Sequence, residues 1–234
     1  MNLDIQGLSH TYDVEVLNDI NVTLKDKKAI GLIGVSGSGK STLLRIMSGL
    51  EKPTSGKVTI NDYDVREQTY RKNVGFVFQS HTLFPHLTLL QNITVILTET
   101  RGLEKKQAEK IALDNLKKLS LVEQANKYPQ NVSGGQAQRA SIARALSIDP
   151  DIIFLDEPTS SLDPILTDEV LSSVENLRDS GKDFVFVTHV ISFVRDFADY
   201  VIFMDKGKIA EMGTPEILDA PKSKAMQTFM SKVR

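Results

Sequence analysis

The run KAIGLIGVSGSGKSTLLRIM, residues 28–47, leaves this chain few folds to choose from. KAIGLIG is a short apolar run suited to a buried strand, and TLLRIM reads as the start of a helix. Between them, residues 34–41 read GVSGSGKS and fit G-x-x-x-x-G-K-S/T without a gap. Glycines let the backbone bend so that successive N–H groups point inward at phosphate oxygens. The helix that follows adds a partial positive charge. Gly34, Val35, Ser36, Gly37, Ser38 and Gly39 are then candidates for the cradle, with Lys40 for the β- and γ-phosphates. Ser41 offers a hydroxyl to Mg2+, and Thr42 continues the nucleotide contact. A plain glycine-rich turn is the alternative, but strand and helix stand where a phosphate site needs them.

The surrounding chain is consistent with an α/β fold. KVTIND from Lys57 alternates apolar and polar residues, as a half-buried strand does, and VGFVFQ from Val74 is a short apolar run. From Glu104 the pattern changes: Ala108, Ile111, Ala112, Leu116 and Leu119 recur at helical spacing. A second helix is predicted from after Gly135 to about Ser147. DIIFLDE from Asp151 and DFVFVTH from Asp183 read as buried parallel strands with polar residues at their carboxyl ends. Between them PILTDEVLSSVENLRDSG reads as a helix ended by Gly181, and YVIFMDKGKIAEMG as two strands around Lys206-Gly207. The tail from Thr214 is predicted to be helical and broken near Pro221. Strands, a helical insert, then alternating strands and helices indicate an α/β core interrupted by a helical subdomain.

Composition excludes several classes of function. Net charge is -2 and the isoelectric point about 6.1, so no general electrostatic grip on nucleic acid or anionic lipid is expected. The chain has no cysteine, which removes disulfides, thiol catalysis and thiolate zinc sites. MNLDIQGLSH lacks the basic and apolar regions of a signal peptide, and no apolar run approaches the roughly 18 residues of a membrane span. A soluble, cytoplasmic protein is expected, free to dock on a membrane protein.

Further candidates lie at strand ends. In IIFLDEP the apolar residues bury the strand and deliver Asp156 and Glu157 at its end. Asp156 is placed to hold Mg2+, and Glu157 to polarise a water or, alternatively, to cap the turn at Pro158. Taken alone, Gln79 is a surface glutamine, His189 a structural strand-end histidine, and Asp163 a turn residue before Pro164.

Taken in order, the phosphate loop, VFQ ending at Gln79, VSGGQ at residues 132–136, FLDEP, SLDP from Ser161 and VTH ending at His189 resemble the ATP-binding subunit of an ABC transporter. The resemblance covers essentially the whole chain. It implies an α/β P-loop NTPase (RecA-like) core with an N-terminal antiparallel β subdomain and an α-helical signature subdomain. As one domain, residues 1–82 and 150–234 form the core and residues 83–149 the helical part. It implies ATP and Mg2+ as ligands, with Ser41, Gln79 and Asp156 at the metal and Glu157, His189 and Gln79 at the reacting phosphate. Tyr12 would stack on adenine, with Val16 beside the base. Ser133, Gly134, Gly135 and Gln136 would bind the γ-phosphate of ATP held by a second copy, and Asp163 would link the two sites.

VGFVFQSHTLFPHLTLLQNIT and HVISFVRDFADYVIFMDKGKIAEMGTPEIL are similar to polar amino acid importer subunits. That branch implies integral membrane permease subunits, an extracytoplasmic solute-binding protein, and a place on the cytoplasmic face of the membrane. FPHLT from Phe84 falls where the family meets its membrane partner. Alternatives are a subunit serving another small solute or lipoprotein release, or a soluble ABC ATPase. The last usually carries duplicated cassettes, long inserts, basic arms or cysteine chemistry, none of which is visible.

Overall fold

The computed structural model describes residues 1–233. In chain order the elements are β1 (Leu3–Thr11), β2 (Glu15–Leu24), β3 (Ala29–Gly34), α1 (Lys40–Met47), β4 (Ser55–Ile60), β5 (Tyr63–Asp64), α2 (Gln68–Arg71) and β6 (Val74–Val77). Next come α3 (Leu89–Arg101), α4 (Lys105–Lys118), α5 (Gly134–Ser147), β7 (Ile152–Asp156) and α6 (Pro164–Glu175). The chain finishes with β8 (Asp183–Val187), α7 (Ile191–Phe197), β9 (Tyr200–Asp205), β10 (Lys208–Gly213) and α8 (Lys224–Val233). It divides into two compact units, Met1–Val74 with the segment from Asp183 onward, and Gly75–Lys182.

The first unit holds an antiparallel sheet of order β2-β1-β4-β5 and the run of neighbouring strands β10-β9-β3-β8. In the antiparallel sheet β1 buries Leu3 and Ile5, then Leu8 and His10. The change from odd to even positions follows a register shift between Ile5 and Leu8. A one-residue slip in a strand turns every later side chain to the opposite face. The bulge therefore puts His10 inside, where strict alternation would expose it.

Strand β3 is buried at every position and lies parallel to both β8 and β9. Such strands read as continuous apolar runs because both faces are covered. Phe184, Phe186, Phe193 and Phe197 pack as one cluster, with ring centroids 4.9–5.6 Å apart. Gly31 leaves room for it: a Cβ there would stand 3.1 Å from Val194 and 3.2 Å from Phe186. The hairpin β9–β10 turns at Lys206-Gly207, as predicted, with positive φ at both residues.

In the second unit the expected helices form with adjusted ends. Helix α4 buries Ala108, Ala112 and Leu116, with Leu119 just beyond it. Helix α5 begins at Gly134, two positions earlier than the pattern predicts. Helix α6 ends at Glu175, and a separate 3-10 turn, Arg178–Ser180, intervenes before Gly181. Helix α3 was not singled out from its apolar spacing. Its signal is the capping box, in which Thr88 Oγ1 accepts from Gln91 N at 3.2 Å and Gln91 Oε1 accepts from Thr88 N at 2.9 Å.

Asn92, fully buried, ties this helix start to the segment before it. Its amide donates to the carbonyls of Phe84, Leu87 and Thr88 at 3.0–3.1 Å, and its oxygen accepts from Phe84 N at 2.7 Å. The amide thus satisfies the polar backbone of the FPHLT turn, which has no ladder of its own. Asn92→Leu keeps the branched skeleton and strands those groups. We expect a loss of about 2 kcal/mol, read as a thermal midpoint lower by roughly 4–8 °C in a calorimeter.

Candidate nucleotide site

Within the first unit, the phosphate loop leaves the carboxyl end of β3. Register pairs Leu32 with Val187 of β8 and Gly34 with Met204 of β9. Residues beyond these positions emerge at the same end of three parallel strands, where open α/β sheets bind ligands. Gly34 has φ 145°, and a Cβ on it would lie 2.1 Å from the Met204 carbonyl oxygen. Gly39 has φ 96°, and its Cβ would lie 2.9 Å from the Val16 oxygen and 2.7 Å from Leu17. No side chain fits at either place. The loop is therefore pressed against β2 and β9.

Lys40 is 4% exposed, and its ammonium donates to the Val35 carbonyl at 2.9 Å. The first helical bond of α1 runs from Leu43 N to Gly39 O. The N–H groups of Lys40, Ser41 and Thr42 thus precede the helix ladder, and the first turn carries no acidic residue. The turn presents a positive helix end without a carboxylate of its own to neutralise it. Val35, Ser36 and Gly37 are exposed, while Ser38 and Thr42 are buried.

The other candidates of this unit sit around the same strand ends. His189 is exposed two residues beyond β8, after a buried Thr188 whose hydroxyl accepts from Val190 N at 3.1 Å. Tyr12 follows β1 and is 52% exposed. Burial first, then the nearby Glu51 carboxylate, push its phenol above the ordinary value, while Thr42 and Arg45 pull it down. Val16, on β2, brings its carbonyl against the positions a Cβ would take on Gly39 and Gly207, at 2.9 and 2.5 Å.

Within the second unit, β7 is buried throughout and delivers Asp156 at 1% exposure. Glu157 follows with φ 45°, a left-handed conformation unusual for a residue with a side chain. It also precedes Pro158, which disfavours helical backbone before it. Strain of this kind clusters at functional sites. The Glu157 carbonyl accepts from Ser160 N at 3.2 Å, so the residue also shapes the turn. Asp163 is exposed and caps α6, accepting from Leu166 N at 3.0 Å with Pro164 behind it. Its turn reading holds, and its exposure leaves it available to a partner.

Ser133 caps α5. Its Oγ accepts from Gln136 N at 3.2 Å, while Gln136 Oε1 accepts from Ser133 N at 3.1 Å. Ser133 and Gly134 are exposed and Gly135 is buried. A Cβ on Gly134 would meet Leu162 at 3.0 Å, and one on Gly135 would meet Leu166 at 3.2 Å. The stretch before Asp163 and the first turn of α6 therefore rest directly on the signature glycines. Gln79 is exposed just past β6.

Two residues escaped the sequence reading. Buried Gln138 on α5 donates to Phe78 O at 3.1 Å, next to Gln79. Arg144 on the same helix reaches Thr82 O and Oγ1, both at 2.9 Å. Helix α5 thus holds both ends of the segment around Gln79. The only sequence signal was a helix with polar residues at positions that turn out to be buried.

The ABC transporter family model matches residues 17–160. The arginine transport ATP-binding protein ArtM of Bacillus subtilis (strain 168) is 44% identical, over 99% of both chains. The glutamine transport ATP-binding protein GlnQ of Escherichia coli (strain K12) is 44% identical over 96% of each.

The chain belongs to the ABC transporter family.

It is an ATP-binding ATPase of that family, with the expected P-loop α/β fold. Among solved structures, the ABC cassette MJ0796, described as a dimer in a post-hydrolysis state bound to ADP and Pi, superposes with a TM-score of 0.81 at 34% identity. That match covers 91% of this chain and 98% of MJ0796. Lys40 is the buried cation of the glycine-rich loop, the one expected from the sequence to meet the β- and γ-phosphates. Lys40→Ala is expected to weaken ATP binding by about 10- to 100-fold, as loss of a charged hydrogen bond does, in a titration with a fluorescent ATP analogue.

Proposed function

We propose that the chain is the ATP-hydrolysing motor of an importer for polar amino acids, working as a head-to-tail pair on the cytoplasmic face of the membrane. One observation carries the choice of solute class. Relatives matched over nearly their full length are named for transport of arginine, glutamine, cystine and glutamate. The solutes differ, while the shared class is amino acids with a polar or charged side chain. Among the described residues no helix is long and apolar enough to cross a membrane. Passage of the solute falls to integral permease subunits, and its capture to an extracytoplasmic binding protein.

In this reading Tyr12 and Val16 take the adenine, residues 34–42 the phosphates, and the core (1–82 and 150–234) carries the helical subdomain (83–149). Ser41, Asp156 and Gln79 would hold Mg2+. Mg2+ prefers hard oxygen donors and shares phosphate oxygens and waters rather than filling an all-protein cage. Ser41 and Asp156 are such donors. No group of three or more acidic or histidine side chains able to hold a metal occurs among the described residues. Such donors would fit a metal held jointly with the nucleotide, and that metal would supply charge neutralisation to the phosphates.

Glu157 accepts a proton from the attacking water as its oxygen bonds to the γ-phosphorus and the bond to the β-phosphate oxygen breaks. His189 and Gln79 orient the γ-phosphate and the water. Ser133, Gly134, Gly135 and Gln136 meet the γ-phosphate held by the other copy, and Asp163 joins the two sites. The exposed helix start at Ser133-Gly134 supports this assignment: it offers N–H groups, a positive dipole end and no acidic residue in its first turn. Loss of the γ-phosphate removes that contact, so each state of the pair is favoured by a different ligand.

The assembly with its permease, reconstituted in vesicles, should hydrolyse ATP faster when arginine, glutamine, cystine or glutamate is supplied. Stimulation by sugars alone would overturn the solute class. Glu157→Gln in that assembly should keep ATP binding and lower turnover by about 100-fold or more, measured as phosphate release. Ser133→Arg places a bulky side chain at the shared contact. It should weaken ATP-driven pairing by about tenfold or more, read by light scattering, while ATP affinity of the single chain is kept.

A further inference from the structure

His10 is 7% exposed and takes no part in the proposed reaction. The bulge in β1 turns it inward, two positions before Tyr12. The two rings meet in a T-shaped arrangement, with centroids 4.5 Å apart and planes at 83°. Nε2 of His10 lies 3.0 Å from Glu51 Oε1. Neither ring nitrogen is directed into a hydrogen bond. Glu51 is itself fixed just past α1, where its N–H donates to Arg45 O at 3.2 Å. The other neighbours acting on the Tyr12 phenol are Glu51, Thr42 and Arg45. Thr42 and Arg45 both belong to α1, the helix that follows the phosphate loop. Tyr12 is thus set between a buried ring and the phosphate helix, with half its surface open.

We propose that His10 is a positioning residue for the nucleotide base: packed against Tyr12, it holds the exposed ring in the orientation that receives adenine. The inference rests on the reading of Tyr12 as the stacking residue. An exposed aromatic at a strand end samples several rotamers, and a ligand that selects one must order it. A ring already held by a T-shaped partner loses less freedom on binding, and the pair is itself favourable. Simple core packing by His10 would instead alter both ends of the nucleotide site together, through the stability of β1.

The test compares two ligands on the full chain: ADP carrying a methylanthraniloyl fluorophore on its ribose, and inorganic pyrophosphate as its competitor without a base. His10→Ala should weaken ADP binding by about 2- to 10-fold, in the range of an aromatic pair, with pyrophosphate affinity unchanged. His10→Phe, which retains an aromatic partner, should recover most of the loss. His10→Leu keeps an apolar filling of the site and should behave as the alanine variant does, which carries the test if alanine prevents folding. Tyr12→Ala should lose about 5- to 100-fold for ADP, and adding His10→Ala to it should change nothing further. Wild-type ADP affinity in both the alanine and leucine variants would overturn the proposal. So would an equal loss for pyrophosphate, or a full additional loss in the double variant. If Tyr12→Ala itself binds ADP normally, the stacking role is wrong and the proposal falls with it, an outcome distinct from a silent His10.

Discussion

The phosphate loop takes its present shape because neighbouring backbone presses directly on its glycines. The Met204 carbonyl occupies the place of a Gly34 side chain, and the Val16 carbonyl abuts the places of those on Gly39 and Gly207. Gly207 N in turn donates to Ser38 O at 3.2 Å, and Asn18 N to Gly207 O at 3.0 Å. Strand β2, the loop and the β9–β10 turn therefore form one hydrogen-bonded stack. A cradle of N–H groups serves an anion only when those groups are held in place before it arrives, and this stack holds them. Lys40 on Val35 O closes the loop from within.

The second unit solves a different problem with the same means. Its signature must expose N–H groups on α5 while the rest of that helix is buried. The capping box of Ser133 and Gln136 fixes the helix start, and the absence of side chains at Gly134 and Gly135 lets Leu162 and Leu166 close over it. Gln138 and Arg144, farther along the helix, hold the backbone on either side of Gln79. One helix thus links the trans contact proposed for Ser133 to the segment proposed to hold the metal and orient the water. Burial pulls the Arg144 guanidinium below its ordinary value, yet two contacts to Thr82 keep it satisfied.

Most of the core, and the strand ends that carry the candidate residues, were legible in the chain itself. GVSGSGKS between an apolar run and a helix, the acid pair after IIFL and the histidine after FVFVT all mark strand ends, where a buried apolar run gives way to polar residues. The two strands around Lys206-Gly207 were legible because glycine marks a turn, where it takes positive φ at no steric cost; Lys206 takes it as well. Helix α3 has the spacing too, with Leu89, Ile93 and Leu97 buried one turn apart, but apolar residues between them blur the stripe and the Thr88-Gln91 box marks where it begins.

What the sequence by itself determined is the order of elements, the phosphate loop and the family, since these depend on local pattern and on ordered motifs. Tertiary structure decided the rest. His10 became a buried neighbour of Tyr12 only through a register shift that no local pattern announces. Asn92 became the support of the FPHLT turn, and Gln138 and Arg144 the clamps on residues 78–82, because buried backbone polar groups must find partners wherever the fold places them. Those partners are chosen by proximity in space, a quantity that spacing along the chain does not contain.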